Sequence, residues 1–424
     1  MSVRKRSWVT SKGERRVAWV VDFRDSNGHR TIETFDLKKD ADARRSEVDV
    51  ARRDHGVTAR SRSITINQLG EKWLAALKKR TLLPEGDDDY LQPATLDMYE
   101  DHVGHLKKCG GGRKLADLTV PILNTIMDCL RSQGHSADMV RRVRVTLGTM
   151  LQWAQDHLGT GRNMVREMGR KKRSKGGGSK PKLEIGKDIP TRAEVAKIIN
   201  NARGRWRPLF LVAAYTGLRA SELRGLTWVD VDLKGRKITV RQKADRYNKI
   251  GLPKSKSARR SVPFGKVVAN TLTEWKPDDK PKIVSADQPQ KLKCPKGKLN
   301  LVFPNKTGNI EVLSNIRQRG LMPACLAAGV TVPALDANGK PRRDKKGKPI
   351  VKAKYTGLHA LRHFYASWCI NRKVDGGLEL PPKNVQERLG HSTITLTLDR
   401  YGHLFPVADH QEIDAAEIAL MQAS

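Results

Sequence analysis

LGHSTITLTLDRYGHL, residues 389–404, sets a histidine and a tyrosine ten residues apart. The preceding VQERL reads as a helix that Gly390 ends, so His391 falls at a helix boundary, where connecting loops present functional groups. Tyr401 has two readings. It stands seven residues after Ile394 and three after Leu398, and so reads by itself as the last member of an apolar helical stripe before it reads as a reactive residue.

Upstream, HALRHFYASW at 359–368 puts His359, Arg362 and His363 close together on one helix. Histidines four apart suggest zinc, but the metalloprotease pattern requires a glutamate directly after the first histidine. Ala360 stands there, and Arg362 lies between the two. His363 reads as a core residue beside Phe364 and Trp368. Further upstream, YTGLRASEL follows a buried helix, RPLFLVAAYTG, closed by Gly217. PKSKSARRSVP leads into the extended run RRSVPF, which with VDVDL and KITVRQ suggests a short sheet. In a chain with 81 lysines and arginines, each of these basic segments is weak evidence by itself.

Read together and in order, they resemble the catalytic domain of the tyrosine recombinase (phage integrase) family. That family carries an arginine in T-G-x-R-x-S-E, a lysine in a β-hairpin, H-x-x-R, then L-G-H and a tyrosine about ten residues later. Here Arg219 lies in TGLRASE, Lys254 in PKSKSARRSVP, His359 and Arg362 in HALR, His391 in LGH, and Tyr401 in LDRYGH. Lys256, two positions from Lys254, competes for the lysine role. The resemblance covers residues 184 to 405, including LVFPNKTGN at 301.

The resemblance implies a site-specific DNA recombinase (integrase) that integrates and excises a prophage or another mobile element. Residue chemistry fits the implied roles. A phosphodiester repels nucleophiles, and its transition state spreads charge over the equatorial oxygens. Arg219 and Arg362 answer with forked donors and permanent charge. A tyrosine hydroxyl, with a reference pKa of about 10, needs help to become a phenolate. His359 is the candidate to assist and His391 to bond a non-bridging oxygen. Tyr401 then forms a 3′-phosphotyrosyl link, and Lys254 protonates the leaving 5′-oxygen. No metal, ATP or other cofactor is implied. Glu222, three residues after Arg219, either orients it through an ion pair or is structural.

Composition agrees with a polyanionic partner. Eighty-one Lys and Arg against 45 Asp and Glu give a net charge of +36. A membrane is the rival polyanion, but no run of about 18 apolar residues exists and the N-terminus lacks a signal peptide's apolar core. The five cysteines (Cys109, Cys129, Cys294, Cys325, Cys369) show no C-x-x-C pair and read as free thiols in a reducing compartment. A cytoplasmic, nucleoid-associated protein is expected.

The expected fold is multidomain, mainly α with small β-sheets. Residues 1–60 predict a sheet-plus-helix module: Val17, Trp19, Val21 and Phe23 alternate, Asn27-Gly28 supplies a hairpin turn, and a charged helix follows from Lys38 to Arg53. Its arginines (Arg15, Arg16, Arg24, Arg30) suit either a β-face presented to DNA or a solvated surface. Residues 64–169 predict four or five helices, with Leu69, Trp73, Leu74 and Leu77 on one stripe and Val143, Leu147, Leu151 and Trp153 on another. By resemblance these modules bind arm-type and core-type attachment sites on double-stranded DNA. Asp87, Asp88 and Asp89 are consecutive, so their side chains diverge and chelate poorly.

RKKRSKGGGSKPK in the linker 170–183 lacks the spacing of a phosphate loop. The catalytic α+β domain is expected over 184–424, with helices resuming at His359 after a poorly periodic stretch, 276–354. Within that stretch DANGKPRRDKKGKP reads as an exposed hairpin or loop with no assigned role. The family further implies a homo-tetramer on synapsed sites, DNA-bending or directionality accessory proteins, and a C-terminal tail, 406–424, donated to a neighbouring protomer. Three rivals stand beside this reading: a non-catalytic DNA-binding regulator, a relaxing topoisomerase and a metal-dependent hydrolase.

Overall fold

The alternating run from Val17 to Phe23 forms the centre of an antiparallel sheet, β1 (Ser2–Val9), β2 (Arg15–Arg24) and β3 (Arg30–Phe35), ordered β1-β2-β3. Val21 lies opposite Val3 and Glu33, and Trp19 opposite Lys5 and Phe35. Alternate residues share a face, so Val3, Trp19, Val21, Phe23 and Phe35 form a small apolar layer with Ala41 of helix α1 (Lys38–His55). Strand β1 was not expected from the sequence, because Arg4, Lys5 and Arg6 mask its alternation. Arg30 is engaged by Asp22 at 2.7 and 3.0 Å.

In this computed structural model the described residues are 2–9, 15–24, 30–55, 63–160, 163–168, 182–253, 255–277, 297–336 and 339–406, with a few positions between 414 and 422. The Asn27-Gly28 turn and most of the basic linker lie outside them, as do Lys254, Cys294 and nearly all of the C-terminal tail. Two compact units divide at residues 177 and 178. No helix among the described residues is long and apolar enough to cross a membrane.

Among the described residues the rest of the first unit is mainly helical: α2 (Ile66–Arg80), α3 (Pro93–Gly110), α4 (Val120–Ser132), α5 (Ala137–Leu158) and the short α6 (Met164–Glu167). Leu69, Trp73 and Leu77 are buried with Val143, Leu147 and Leu151 in one core, as their spacing predicts. Side-chain oxygens of Thr65, Thr119 and Ser136 cap the starts of α2, α4 and α5.

The cysteine expectation needs correcting. Cys109 at the end of α3 and Cys129 in α4 form a disulfide, with Cα atoms 5.7 Å apart, while Cys325 and Cys369 are free and buried. Helix packing brings the pair together across 20 residues of chain, a proximity that spacing alone does not encode. Closing a loop of that length stabilises a fold by about 3 kcal/mol through the unfolded state. Reductant is therefore expected to lower the unfolding free energy of this unit by about that much. A Cys109→Ser/Cys129→Ser protein should start at the lower value and ignore reductant in denaturant titrations.

The second unit is built around α8 (Trp206–Thr216), whose residues Leu209 to Ala214 are all buried. Before it comes α7 (Arg192–Asn201), capped reciprocally by Thr191 and Glu194, and after it α9 (Ala220–Arg224). Strands β4 (Val231–Asp232), β5 (Lys237–Val240) and β8 (Arg260–Pro263) make a three-stranded antiparallel sheet. The loop between β5 and β8 carries a hairpin, β6 (Lys243–Ala244) and β7 (Ile250–Gly251). Helix α10 (Lys266–Trp275) follows.

Helices do not wait until His359 to resume. One runs through Leu313–Asn315, π-helical turns at Ile316–Leu321 and Met322–Ala327 (α11). A π turn widens the repeat and shifts the apolar phase. The step from buried Ile316 to buried Leu321 is therefore five residues, out of phase with the three-and-four spacing that Leu321, Ala324 and Cys325 keep. Strands β9 (Thr331–Pro333) and β10 (Val351–Ala353) pair antiparallel. Helices α12 (His359–Ile370), α13 (Pro382–Leu389) and α14 (Ile394–Tyr401) complete the unit.

Candidate active site

Helices end with backbone carbonyls that lack intrahelical partners and carry the negative end of the macrodipole. Helices α8 and α13 both close on a left-handed glycine, Gly217 at φ 60° and Gly390 at φ 63°. Two arginines satisfy these ends. Arg362, only 3% exposed, donates to Gly217 O and Leu389 O, and Arg219 donates to Gly390 O at 2.8 Å. Gly217 must be glycine twice over, since a Cβ there would also strike the ring of Tyr365.

Beneath the arginines lies Glu222, 4% exposed. It accepts from Arg219 Nη1 and backbone N, both at 2.8 Å, and from Arg260 Nη1 and Nη2 at 3.1 and 2.9 Å. Burial alone would raise its pKa, but Arg260 and then Arg219 outweigh burial and bring it down to about 2. Glu222 thus orients Arg219 and also neutralises a buried cation, so both of its alternative roles apply together. Arg362 sits in the same field: burial first, then Arg219 and Arg260, lowers its pKa to about 9.

Tyr401 is 1% exposed, at the inner end of α14. Its stripe is not the apolar one: Ile394 and Leu398 are 40% and 42% exposed, and the buried face is Thr397 with Tyr401. The hydroxyl lies 2.7 Å from Nδ1 of His363, and the ring is parallel to that of His391 at 6.4 Å. His391 is held by Thr397 Oγ1 at 2.9 Å on Nδ1. His359 lies one ring further out, edge-on to His363 at 5.5 Å.

The local field keeps all three imidazoles neutral at pH 7. Burial and then neighbouring charge, with Arg362 and Arg400 acting on each, hold His359 below the usual range and take His363 to about 4 and His391 to about 3. Burial raises the Tyr401 hydroxyl while Arg362 and Arg400 pull against it.

Five of the six expected residues therefore converge: Arg219, His359, Arg362, His391 and Tyr401. Lys254 lies outside the described residues, as does the side chain of Lys256. A cavity of about 520 Å³ opens on the site, lined by Arg219, Ser221, Glu222, Lys243, His391 and Ser392 among others.

Sequence reasoning passed over four groups here. From the sequence His363 reads as packing, although its i+4 relation to His359 is an available signal. Arg260 was indistinguishable from its neighbour Arg259 until the strand showed which of them turns inward. Arg400 adjoins Tyr401 in the chain but had no separate cue. Lys243 is one lysine among many, and only the β6–β7 hairpin brings it to the cavity.

Comparison with known proteins bears on the family and the fold. A tyrosine recombinase XerC-like protein of Caldanaerobacter subterraneus subsp. tengcongensis is 26% identical over 428 residues, covering 95% of this chain and 96% of that protein. The Tn1549 transposon integrase, solved in complex with a circular intermediate DNA, superimposes with a TM-score of 0.57 at 18% identity, over 84% of this chain and 100% of that one. A lambda integrase tetramer bound to a Holliday junction gives 0.52 at 16% identity, over 92% and 96%. Residues 190–406, just over half of the chain, match the phage integrase family. The chain belongs to that family and is a tyrosine recombinase.

Proposed function

We propose that this recombinase cuts and reseals duplex DNA at defined sites through Tyr401, in the service of a mobile element. The observation that carries the assignment is the convergence of Tyr401 with two arginines that helix-end carbonyls hold in place. Arg219 and Arg362 bind the scissile phosphate. Both are immobilised before substrate arrives, so no reorganisation is needed when charge develops. With Nδ1 on Thr397, His391 offers Nε2 to a non-bridging oxygen.

The proton on Tyr401 goes to His363. Neutral at pH 7, His363 already touches the hydroxyl, and an arriving phosphate's negative charge raises its basicity. Attack then breaks the bond from phosphorus to the 5′-oxygen and leaves a 3′-phosphotyrosyl ester. A second 5′-hydroxyl reverses the step and needs no ATP. His363→Asn keeps an acceptor near the same point but no base. It is expected to cleave about 10²-fold more slowly, with DNA binding retained and a rate that climbs with pH. Full activity in that variant, with loss in His359→Asn, returns the role to His359.

Lys243 lines the cavity and stands as a leaving-group acid beside Lys254 and Lys256, whose side chains lie outside the described residues. Lys243→Ala should slow cleavage of ordinary DNA by at least about 10²-fold and be rescued by a 5′-bridging sulfur, which leaves without a proton. Rescue seen with Lys254→Ala or Lys256→Ala moves the role there.

The lambda integrase tetramer supports a tetramer on two synapsed sites, and the Tn1549 enzyme supports integration and excision of a transposon-like or prophage element. We assign arm-site binding to residues 1–60 and core-site binding to 64–169, in a protein working on DNA in the cytoplasm. Trapping on fragmented element and host DNA tests the whole reading. A denaturant-resistant adduct at a 3′ end, formed without metal or ATP, is the expected product. Tight binding with no adduct, even on nicked sites, would leave a DNA-binding regulator.

A further inference from the structure

The described residues of 334–349, before His359, follow a repeat. Residues 334–341 and 342–349 are two copies of an eight-residue unit, x-x-D-x-x-G-K-P, reading ALDANGKP and RRDKKGKP. In the second copy Asp344 N donates to Lys348 O, Gly347 N to Asp344 O, and the Asp344 carboxylate accepts from the amides of Lys346 and Lys348. The first copy repeats this: Asp336 N to Lys340 O, Gly339 N to Asp336 O, and Lys340 N to Asp336 Oδ1. Gly339 and Gly347 take the same left-handed φ, 77° and 76°. Both aspartates thus use their charge on backbone amides of their own turns.

A ring of backbone hydrogen bonds closes the base. Ala334 N donates to Ile350 O, Ile350 N to Arg342 O, and Arg342 N to Ala334 O, at 2.8, 2.8 and 2.7 Å. Its three members stand eight residues apart, one repeat each. Below the ring, β9 and β10 pair, Ala353 and Tyr355 are buried, and Glu194 takes bonds from both Lys354 and Tyr355. The two turns are therefore mounted on the catalytic unit and fixed relative to each other.

This platform holds cations in solvent. All of 339–349 is exposed, and Lys340, Arg342, Arg343, Lys345, Lys346 and Lys348 fall within it. No aromatic residue occurs in 334–349. Single-strand binders stack bases on aromatic rings, whereas cations alone read the phosphate backbone irrespective of sequence.

We propose that the paired D-x-x-G-K-P turns grip the phosphate backbone of duplex DNA away from the scissile phosphate, as a sequence-independent contact of the catalytic unit. The proposal rests on the recombinase reading above. Its partner is duplex DNA, because that is the polyanion this unit already holds when it acts.

The test is the salt dependence of binding by the full chain. Each phosphate contact contributes about 0.9 to the slope of log affinity against log salt. Changing the six cations to glutamine, with both aspartates, glycines and prolines kept, should lower the slope by roughly 2 to 4 on duplex DNA. Six glutamines at exposed cations elsewhere on the catalytic unit serve as the control and should change it less. The smaller variant Lys345→Gln/Lys346→Gln, which leaves every turn hydrogen bond intact, should lower it by roughly 1 to 2.

Tyr401 adducts on saturating DNA should persist in both variants, which separates this claim from the catalytic one. An unchanged slope with adducts intact overturns the platform. Loss of binding to an RNA duplex alone, with DNA unaffected, overturns its assignment to DNA. Absence of adducts in the unaltered chain would instead count against Tyr401.

Discussion

Tyr401→Phe is expected to yield no covalent adduct at any enzyme concentration while binding DNA within a few-fold of the unaltered protein. The substitution removes one oxygen atom. Because Tyr401 is 1% exposed, its ring belongs to the core and phenylalanine fills the same volume. The lost interaction is the hydrogen bond to His363, a group that stays half-buried and neutral, so stability should drop by only about 1 kcal/mol. Chemistry has no such cushion. With no hydroxyl there is no ester, and no other residue of the cluster sits where Tyr401 sits. Gel retardation and adduct trapping on the same DNA separate the two properties. Any residual adduct would name a different nucleophile. Wholesale loss of binding would mean that the tyrosine is chiefly structural.

Glu222→Ala should be the most damaging single change to the fold of the second unit. Arg260 is 6% exposed at its side chain and donates two hydrogen bonds to Glu222, and Arg219 leans on the same carboxylate. Removing one partner of a buried ion pair strands the other charge, at a cost of about 3 to 5 kcal/mol. That is a large share of the roughly 5 to 15 kcal/mol that a domain has. Urea titration should show an earlier midpoint at unchanged slope. Adding Arg260→Met should recover part of the loss, because it removes the stranded cation.

The pH dependence has a definite sign. Glu222 has a folded pKa near 2 against an ordinary value of 4.5, so its contribution is complete above about 4.5 and disappears as pH falls toward 2. Glu222→Gln should flatten stability across that window. A loss below about 1 kcal/mol for Glu222→Ala would mean that Arg260 finds another counter-charge.

Much of the site could be read from the chain because its chemistry is written in residue types at short range. TGLR, HALR and LGH each set a functional side chain beside a helix end, and the glycines at 217 and 390 mark those ends through the left-handed conformation they alone adopt easily. The alternation in β2 and the stripes of α2 and α5 likewise announced a strand and two helices. What resisted reading broke the ordinary periods or depended on distant partners. Strand β1 hid under cations, and the π turns of α11 shifted the apolar phase.

The order of residue types along the chain carries the nature of the chemistry: a tyrosine among arginines and histidines, in an order shared with one family and on a chain of net charge +36. Tertiary structure alone decided which neighbours complete it. His363 meets the hydroxyl across 38 residues of chain, Arg260 meets Glu222 across 38, and Arg219 meets Gly390 across 171. Cys109 and Cys129 became a disulfide for the same reason. A motif specifies residues that are neighbours along the chain, whereas charge compensation and proton transfer act through space, so the partners that tune the site are settled only when the helices pack.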